Sequence, residues 1–124
     1  MIKVLTVRQP WAWLIVSGHK TIENRTWQTK YRGPLYIHAG LRMHDIPLSD
    51  IERMFRIKID PASLQFGAVI GRVQLVDIVT RSRSRWFDGP FGWVFTDAEP
   101  LASTPMLGRQ GIYDISLRRF SGHP

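Results

Sequence analysis

The sequence predicts a small, mainly β domain: a barrel of about six short strands with one or two helices. A chain of 124 residues has the length of one ordinary domain, so we expect a single domain over residues 1–124. Short runs of β-branched and aromatic residues are separated by Gly and Pro, a pattern typical of small barrels. Strands and helices do not alternate regularly, which argues against a parallel sheet covered by helices on both faces.

Each strand is predicted from a short apolar run bounded by turn residues. In chain order, the predicted strands are Lys3–Val7, Thr21–Trp27, Leu35–Ala39, Ala68–Thr80, Phe91–Phe95 and Ile112–Leu117. In the longest of them, Val69, Val73 and Leu75 fall on one face, because strand side chains alternate. Gly71 inside this strand predicts a bulge or a close approach to the backbone.

Two helices are expected between these strands. Pro10 predicts the beginning of the first, because Pro is favoured at the first helical position, and Gly18 predicts its end. Ser49 is expected to cap a second, short helix that continues to about Arg56, since the apolar residues there fall on one helical stripe. Pro61 is expected to end any helical structure.

Composition excludes several classes of site and location. The chain has no cysteine, so disulfides, zinc–thiolate sites and cysteine nucleophiles are excluded. No apolar run approaches the roughly 20 residues that cross a bilayer, and the N-terminus lacks the layout of a signal peptide. We therefore expect a cytoplasmic protein without a membrane partner. His38 and His44 are six residues apart, but no paired carboxylate or thiol completes a metal-ligand set with them, so we expect neither a metal nor a cofactor.

Basic residues are both abundant and clustered. The chain has 17 Lys and Arg against 10 Asp and Glu, and 13 of the basic residues are Arg, whose guanidinium is a rigid donor fork for phosphate. Residues 1–40 contain six basic residues and one acidic residue. This distribution favours a polyanionic partner over an evenly solvated basic surface. The loop predicted at Arg81–Arg85 either follows a phosphate backbone or is an ordinary solvated loop.

The segment around Lys20 carries charge where a core strand would be apolar. Strand alternation places Glu23, Arg25 and Trp27 on one face, with Glu23 and Arg25 about 6–7 Å apart. Lys20 lies where the turn after the first helix enters this strand. We call Lys20, Glu23 and Arg25 the charged row and interpret it as the lining of a cleft, in which Glu23 orients the two cations toward a phosphate or a base edge. The alternative is an exposed strand face with a Glu–Arg pair worth ~0–1 kcal/mol.

Residues on either side of this row extend the candidate site. Trp11 and Trp27 are candidate stacking platforms for a base, with membership of the core as the alternative. Arg8 and Gln9 precede the first helix and would bring hydrogen-bond donors to the cleft, or else only reverse the chain. The candidate ligand-binding residues are therefore Arg8, Gln9, Trp11, Lys20, Glu23, Arg25 and Trp27.

The pattern formed by Gly18, Lys20, Glu23 and Arg25 resembles the signature of the ASCH family, a branch of the PUA-like β-barrels. Four further segments resemble parts of that family in the same order: Thr6–Ala12, Arg32–Ala39, Gly89–Phe95 and Gly108–Tyr113. The resemblance covers nearly the whole chain. It implies a PUA-like barrel with a cleft that faces the helix and is lined by the Lys, the Glu and the Arg.

The resemblance also implies two classes of function. ASCH domains are associated with RNA or DNA binding, and some members are enzymes. One branch removes the acetyl group from N-acetylated cytidine, and another includes ribonucleases. In the amidohydrolase branch the essential Lys matches Lys20, but an essential Thr falls where this chain has Glu23, and the further carboxylate of that branch is not matched.

We therefore expect a module that binds RNA, single-stranded nucleic acid, or a nucleotide or nucleoside. In this interpretation Lys20 and Arg25 contact phosphates or base edges, and Glu23 holds them or accepts from a base amino group. The alternative is a hydrolase acting on modified nucleosides or RNA, with Lys20 and Glu23 as catalytic residues and Glu23 as the general base. A protein-interaction module within a larger assembly is a third interpretation.

Overall fold

A computed structural model describes residues 1–116 of the chain. Within that range the strands are β1 (Ile2–Gln9), β2 (Ile22–Arg25), β3 (Gly33–Met43), β4 (Ala68–Val79), β5 (Phe91–Pro105) and β6 (Ile112–Ile115). Helix α1 (Trp11–Val16) follows β1, and helix α2 (Leu48–Phe55) and a 3₁₀ helix (Pro61–Ser63) lie between β3 and β4. The predicted mainly β class with two helices is confirmed. The predicted end of the last strand, Leu117, lies outside the described residues.

All six strands belong to one sheet in the order β2-β5-β4-β3-β1-β6. Strands β1 and β3 are parallel, and the other neighbours are antiparallel. Among the described strands, β2 and β6 are edges that no backbone ladder joins, so the predicted closure into a barrel is not confirmed. In a flat sheet, β2 and β1 would be about 19 Å apart, four strand spacings. Arg25 of β2 nevertheless donates to the carbonyl of Thr6 in β1 at 2.7 Å, which requires the sheet to curl strongly.

Helix α1 packs across β1, β3, β4 and β5. Its apolar residues join the main core with the inward side chains of those strands, among them Leu5, Ile37, Val73 and Trp93. The close approach predicted at Gly71 is confirmed, because a Cβ there would lie 2.5 Å from the Val16 side chain and 2.7 Å from the Glu99 carbonyl oxygen. The pairing of β4 with β5 also shifts register at Gly71, so the predicted bulge is present too.

The helix boundaries differ from the sequence prediction in detail. Pro10 occupies the N-cap of α1 rather than its first turn, and the side chain of Gln9 accepts from the Trp13 amide at 2.9 Å. Helix α2 begins without a side-chain cap, one residue before Ser49. Pro61, expected to end helical structure, begins the 3₁₀ helix, because the fixed φ of proline suits a first helical position.

A second apolar cluster places α2 against α1. Leu14 of α1, Ile22 of β2 and Ile51 of α2 are buried together with Ile59 and Trp86. Trp86 belongs to the connection between β4 and β5, so this cluster brings α2 and that connection next to β2. No helix within residues 1–116 is long and apolar enough to cross a membrane.

Candidate functional site

A cleft of about 870 Å³ opens between β2, the C-terminal end of α2 and two loops, residues 85–89 and 109–111. Thr6 and Arg8 of β1 also line the cleft, because the curl of the sheet brings β1 close to β2. Five cationic side chains line the cleft: Arg8, Lys20, Arg25, Arg85 and Arg109. Two carboxylates also line it, Glu23 and Asp88.

The predicted charged row is assembled at the base of this cleft. Glu23 lies between its two neighbours, with Oε1 3.7 Å from Lys20 Nζ and Oε2 3.2 Å from Arg25 Nη2. Lys20 is only 4% exposed and Glu23 only 8%. The alternative of an exposed strand face with a solvated Glu–Arg pair is therefore wrong. A buried ionic row has to be held in place by further contacts, because desolvating the charges is costly.

Those contacts are clearest for Lys20. Gly18 adopts a left-handed φ of 85° after α1, and the Lys20 amide donates back to the Leu14 carbonyl, which turns the side chain inward. Its Nζ donates to the Ile22 carbonyl and lies over the rings of two tryptophans on opposite elements, Trp11 at 5.4 Å and Trp86 at 5.6 Å.

This environment changes the protonation chemistry of Lys20. Burial lowers the pKa of Lys20 below its ordinary value, the attraction of Glu23 opposes the shift, and repulsion from Arg25 adds to it. Attraction from the carboxylate of Asp88 also opposes the shift. The lysine is held between two indoles and a carboxylate, and little of its surface faces the open cleft.

One side of the cleft is an aromatic wall formed by Trp11, His44, Phe55 and Trp86. Phe55 and Trp86 stack with ring centroids 4.1 Å apart and planes 18° apart. Trp11 meets Phe55 edge to face at 6.2 Å and His44 at 5.4 Å. Arg85 lies 5.0 Å from the Trp86 ring and donates to the Phe55 carbonyl at 2.8 Å. The wall therefore joins residues from α1, α2 and the β4–β5 connection.

The other side of the cleft is more polar. Arg25 spans it by its bond to the Thr6 carbonyl, and its Nε is buried without a hydrogen-bond partner among the described residues. Trp27 is half-buried and meets Trp93 edge to face at 4.8 Å. Arg8 and Arg109 are exposed at the rim. Three arginines, Arg8, Arg25 and Arg109, therefore line this part of the cleft, and the Arg109 guanidinium also lies 5.9 Å from the Tyr113 ring centroid.

The structure brings together six of the seven candidate ligand-binding residues, all but Gln9. Gln9 is fully buried. Besides capping α1, its side chain donates to the Gln65 carbonyl at 2.8 Å. An amide with both ends engaged inside the protein has a structural role here.

Sequence reasoning missed other residues of the cleft, chiefly Phe55, His44, Asp88 and Arg109. The basic run before Trp86 was the one signal that pointed here, and of its three arginines Arg85 alone lines the cleft. The other residues lie far from Lys20 in sequence and carry no pattern that links them to it. Asp88 also supplies a second carboxylate that no motif had assigned.

His38 lies behind the cleft rather than in it. It is 1% exposed, and its Nε2 lies 2.7 Å from the Met106 carbonyl. Because that carbonyl only accepts, Nε2 donates, and Nδ1 at 3.2 Å from the Thr6 hydroxyl accepts when the ring is neutral. Burial lowers the pKa of His38, partly offset by the bond to Met106. The ring thus supports Thr6, whose carbonyl holds Arg25.

The family model of the ASCH domain matches residues 5–94. The chain belongs to the ASCH domain family. This confirms the resemblance first drawn from the Gly18-to-Arg25 motif. The ASCH domain is 27% identical to human and 33% identical to mouse activating signal cointegrator 1, each over 95% of this chain. It spans 23% of the length of those proteins.

Solved structures show the same fold. Two crystal structures of mutant forms of the ASCH protein ZmASCH from Zymomonas mobilis match with TM-scores of 0.59 and 0.57. The matches cover 97% of this ASCH domain and 94% and 92% of the ZmASCH chains, at 18% and 16% identity. At such identities the likeness concerns the fold alone.

Proposed function

We propose that this ASCH domain binds single-stranded nucleic acid, preferably RNA, or a nucleotide, in the cleft above Glu23. The observation that carries the proposal is that an aromatic wall and four arginines line the same opening. The association of ASCH domains with nucleic acid also supports the proposal. The proposal includes a single binding domain over residues 1–124. It also includes a cytoplasmic location, where such ligands occur.

The charge of the cleft supports an anionic ligand. Its five cationic and two acidic side chains leave a formal excess of three positive charges (5 − 2 = 3). Glu23 is already paired with Lys20 and Arg25, so the exposed guanidinium groups at the rim keep their donors available. Arginine binds phosphate oxygens through two parallel hydrogen bonds, which favours it at such a position.

The aromatic wall supports an unpaired base. Stacking of a base on an aromatic side chain contributes about 1–3 kcal/mol, and all four bases have a face that stacks. In a duplex these faces are hidden between neighbouring base pairs, so the wall discriminates in favour of single strands. A volume of about 870 Å³ also lies within the range of pockets that hold small-molecule ligands.

Individual roles follow from exposure. We assign phosphate contacts to Arg8, Arg25, Arg85 and Arg109. Base contacts are assigned to the half-buried members of the aromatic wall, Trp11, His44 and Phe55, and to Trp27. Trp86 is only 6% exposed and supports the wall by stacking on Phe55. Lys20 acts mainly by supporting the wall from within, since its Nζ is engaged by Ile22 and shielded by two indoles. For the same reason we do not propose the hydrolase alternative, which requires the lysine amine to reach a substrate.

Fluorescence anisotropy with a labelled ten-nucleotide RNA, its duplex and the matching DNA strand tests the proposal at low salt. We expect both single strands to bind more tightly than the duplex, and Arg8→Gln to weaken binding about tenfold, the cost of one charge-assisted contact. Arg32→Gln is the control. Arg32 is exposed and precedes β3, which begins beside the N-terminal half of β1, away from the cleft. Preferred binding of the duplex, or equal losses in the two variants, would contradict the proposal.

A further inference from the structure

The connection between β4 and β5 forms a large part of the cleft without any helix or strand of its own. Residues 80–90 contribute Arg85, Trp86 and Asp88 to the lining. An irregular loop of this kind needs side-chain partners for its backbone groups, since helix and sheet bonds are not available to them. Within the loop, the Ser84 hydroxyl accepts from the Trp86 amide at 3.2 Å. Asn24 of β2 is a partner from outside the loop.

The Asn24 side chain satisfies three backbone groups of this loop. Its Oδ1 accepts from the amides of Asp88 at 2.7 Å and Gly89 at 3.0 Å. Its Nδ2 donates to the carbonyl of Trp86 at 2.9 Å. A planar amide offers an acceptor with two lone pairs and a donor in fixed geometry. Asn24 therefore fixes the loop on both sides of Phe87.

The residue whose position this fixes is Trp86. The indole is 6% exposed, stacks on Phe55 and covers Lys20 Nζ. Together with Trp11, it forms the part of the aromatic wall that lies against Lys20. A shift of its backbone would separate the indole from both neighbours and open the wall.

We infer that Asn24 is the positioning residue of the aromatic wall, holding the β4–β5 connection so that Trp86 is in place before a base arrives. The inference rests on the proposed function and adds to it the device that preorganises the base-binding side. A preformed wall favours affinity because less ordering of side chains and loop accompanies binding. Asn24 acts through Trp86.

A double-mutant cycle on the full chain separates this role from a direct contact. The variants are Asn24→Ala, Trp86→Leu, which keeps an apolar side chain in the cluster, and the two combined. We expect Asn24→Ala to weaken binding of the single-stranded RNA about five- to tenfold, comparable to a weak base stack. In the Trp86→Leu background the same change should cost less than about twofold, because the wall is already lost.

Two further measurements distinguish positioning from a general loss of structure. The salt dependence of binding should not change in Asn24→Ala, because no charge is removed. Hydrogen exchange should lose protection at the amides of Asp88 and Gly89, while the Phe95 amide, which donates to the Thr21 carbonyl at 2.9 Å just before β2, keeps its protection. If Asn24→Ala does not fold, Asn24→Asp replaces it. That variant keeps the acceptor and removes the donor to Trp86, and the cycle cancels the effect of its charge on both backgrounds.

The outcomes separate this inference from the proposal beneath it. Equal losses from Asn24→Ala in both backgrounds would overturn the positioning role and leave the binding function intact. The same would follow if Asp88 and Gly89 lost protection while affinity stayed unchanged. If the unmodified protein binds none of the nucleic acids although the exchange pattern is as expected, the proposed function fails, and the role in ligand binding fails with it.

Discussion

The number of arginines in the cleft sets a measurable salt dependence. Four arginines line it, and each guanidinium that neutralises a phosphate of a single strand releases about 0.7 of a counterion. If all four bind phosphates, the logarithm of the affinity should fall with the logarithm of salt concentration with a slope near −2.8. Between about 50 and 200 mM salt, this slope corresponds to roughly a 50-fold loss of affinity.

Arg109→Gln is the perturbation that tests this count. Arg109 is exposed at the rim, so its removal should leave the fold intact and reduce the slope to about −2.1, with roughly a 20-fold loss over the same salt range. Anisotropy titrations of a short RNA at five or six salt concentrations give the slopes, and Arg32→Gln should keep the original value. A slope near zero in the unmodified protein, or the same slope in Arg109→Gln, would refute the assignment of these arginines to phosphates.

Three other perturbations have outcomes that the structure specifies. Gly71→Ala places a methyl group 2.5 Å from Val16 and should lower the free energy of unfolding by about 3 kcal/mol, the upper end of overpacking costs. Urea unfolding measures this loss, and a loss below about 1 kcal/mol would contradict the packing at Gly71. Burial lowers the pKa of His38, so the stability that His38 contributes is complete above its unfolded pKa of about 6.5 and is lost as the pH falls toward its folded pKa. Between about pH 7.5 and 5, the melting temperature should therefore drop more for the unmodified protein than for His38→Gln. Parallel curves of melting temperature against pH would contradict this. Asp88→Asn removes an exposed carboxylate from the cleft and should tighten RNA binding about threefold at low salt, and weaker binding would place Asp88 among the ligand contacts.

Much of the local structure was predictable because it depends on neighbours along the chain. Gly18 ends α1 through a conformation that glycine adopts without strain, and alternation along β2 places Glu23 beside Arg25. Strand length was harder to predict. Strand β5 continues to Pro105, ten residues beyond its predicted end, because register shifts against β4 absorb residues that break the alternating pattern.

The candidate site also contains residues that could be predicted from sequence neighbours and residues that could not. The row of Lys20, Glu23 and Arg25 is visible in sequence because the three residues lie within six positions of one another. Gln9 was placed with them because it precedes the first helix and its amide offers hydrogen-bond donors. Residue type does not show where such an amide points, and the hydrogen bonds to the Gln65 carbonyl and from the Trp13 amide give it a structural role.

The sequence by itself therefore determined the helix after β1, the charged face of β2, the mainly β class and the family. The tertiary structure alone decided that, within residues 1–116, the sheet stays open between β2 and β6, because closure depends on backbone bonds between strands distant in sequence. It also decided what surrounds Lys20. Phe55, Trp86 and Arg109 reach the cleft only through the curl of the sheet and the packing of α2 on α1, and such long-range contacts leave no periodic pattern in the chain.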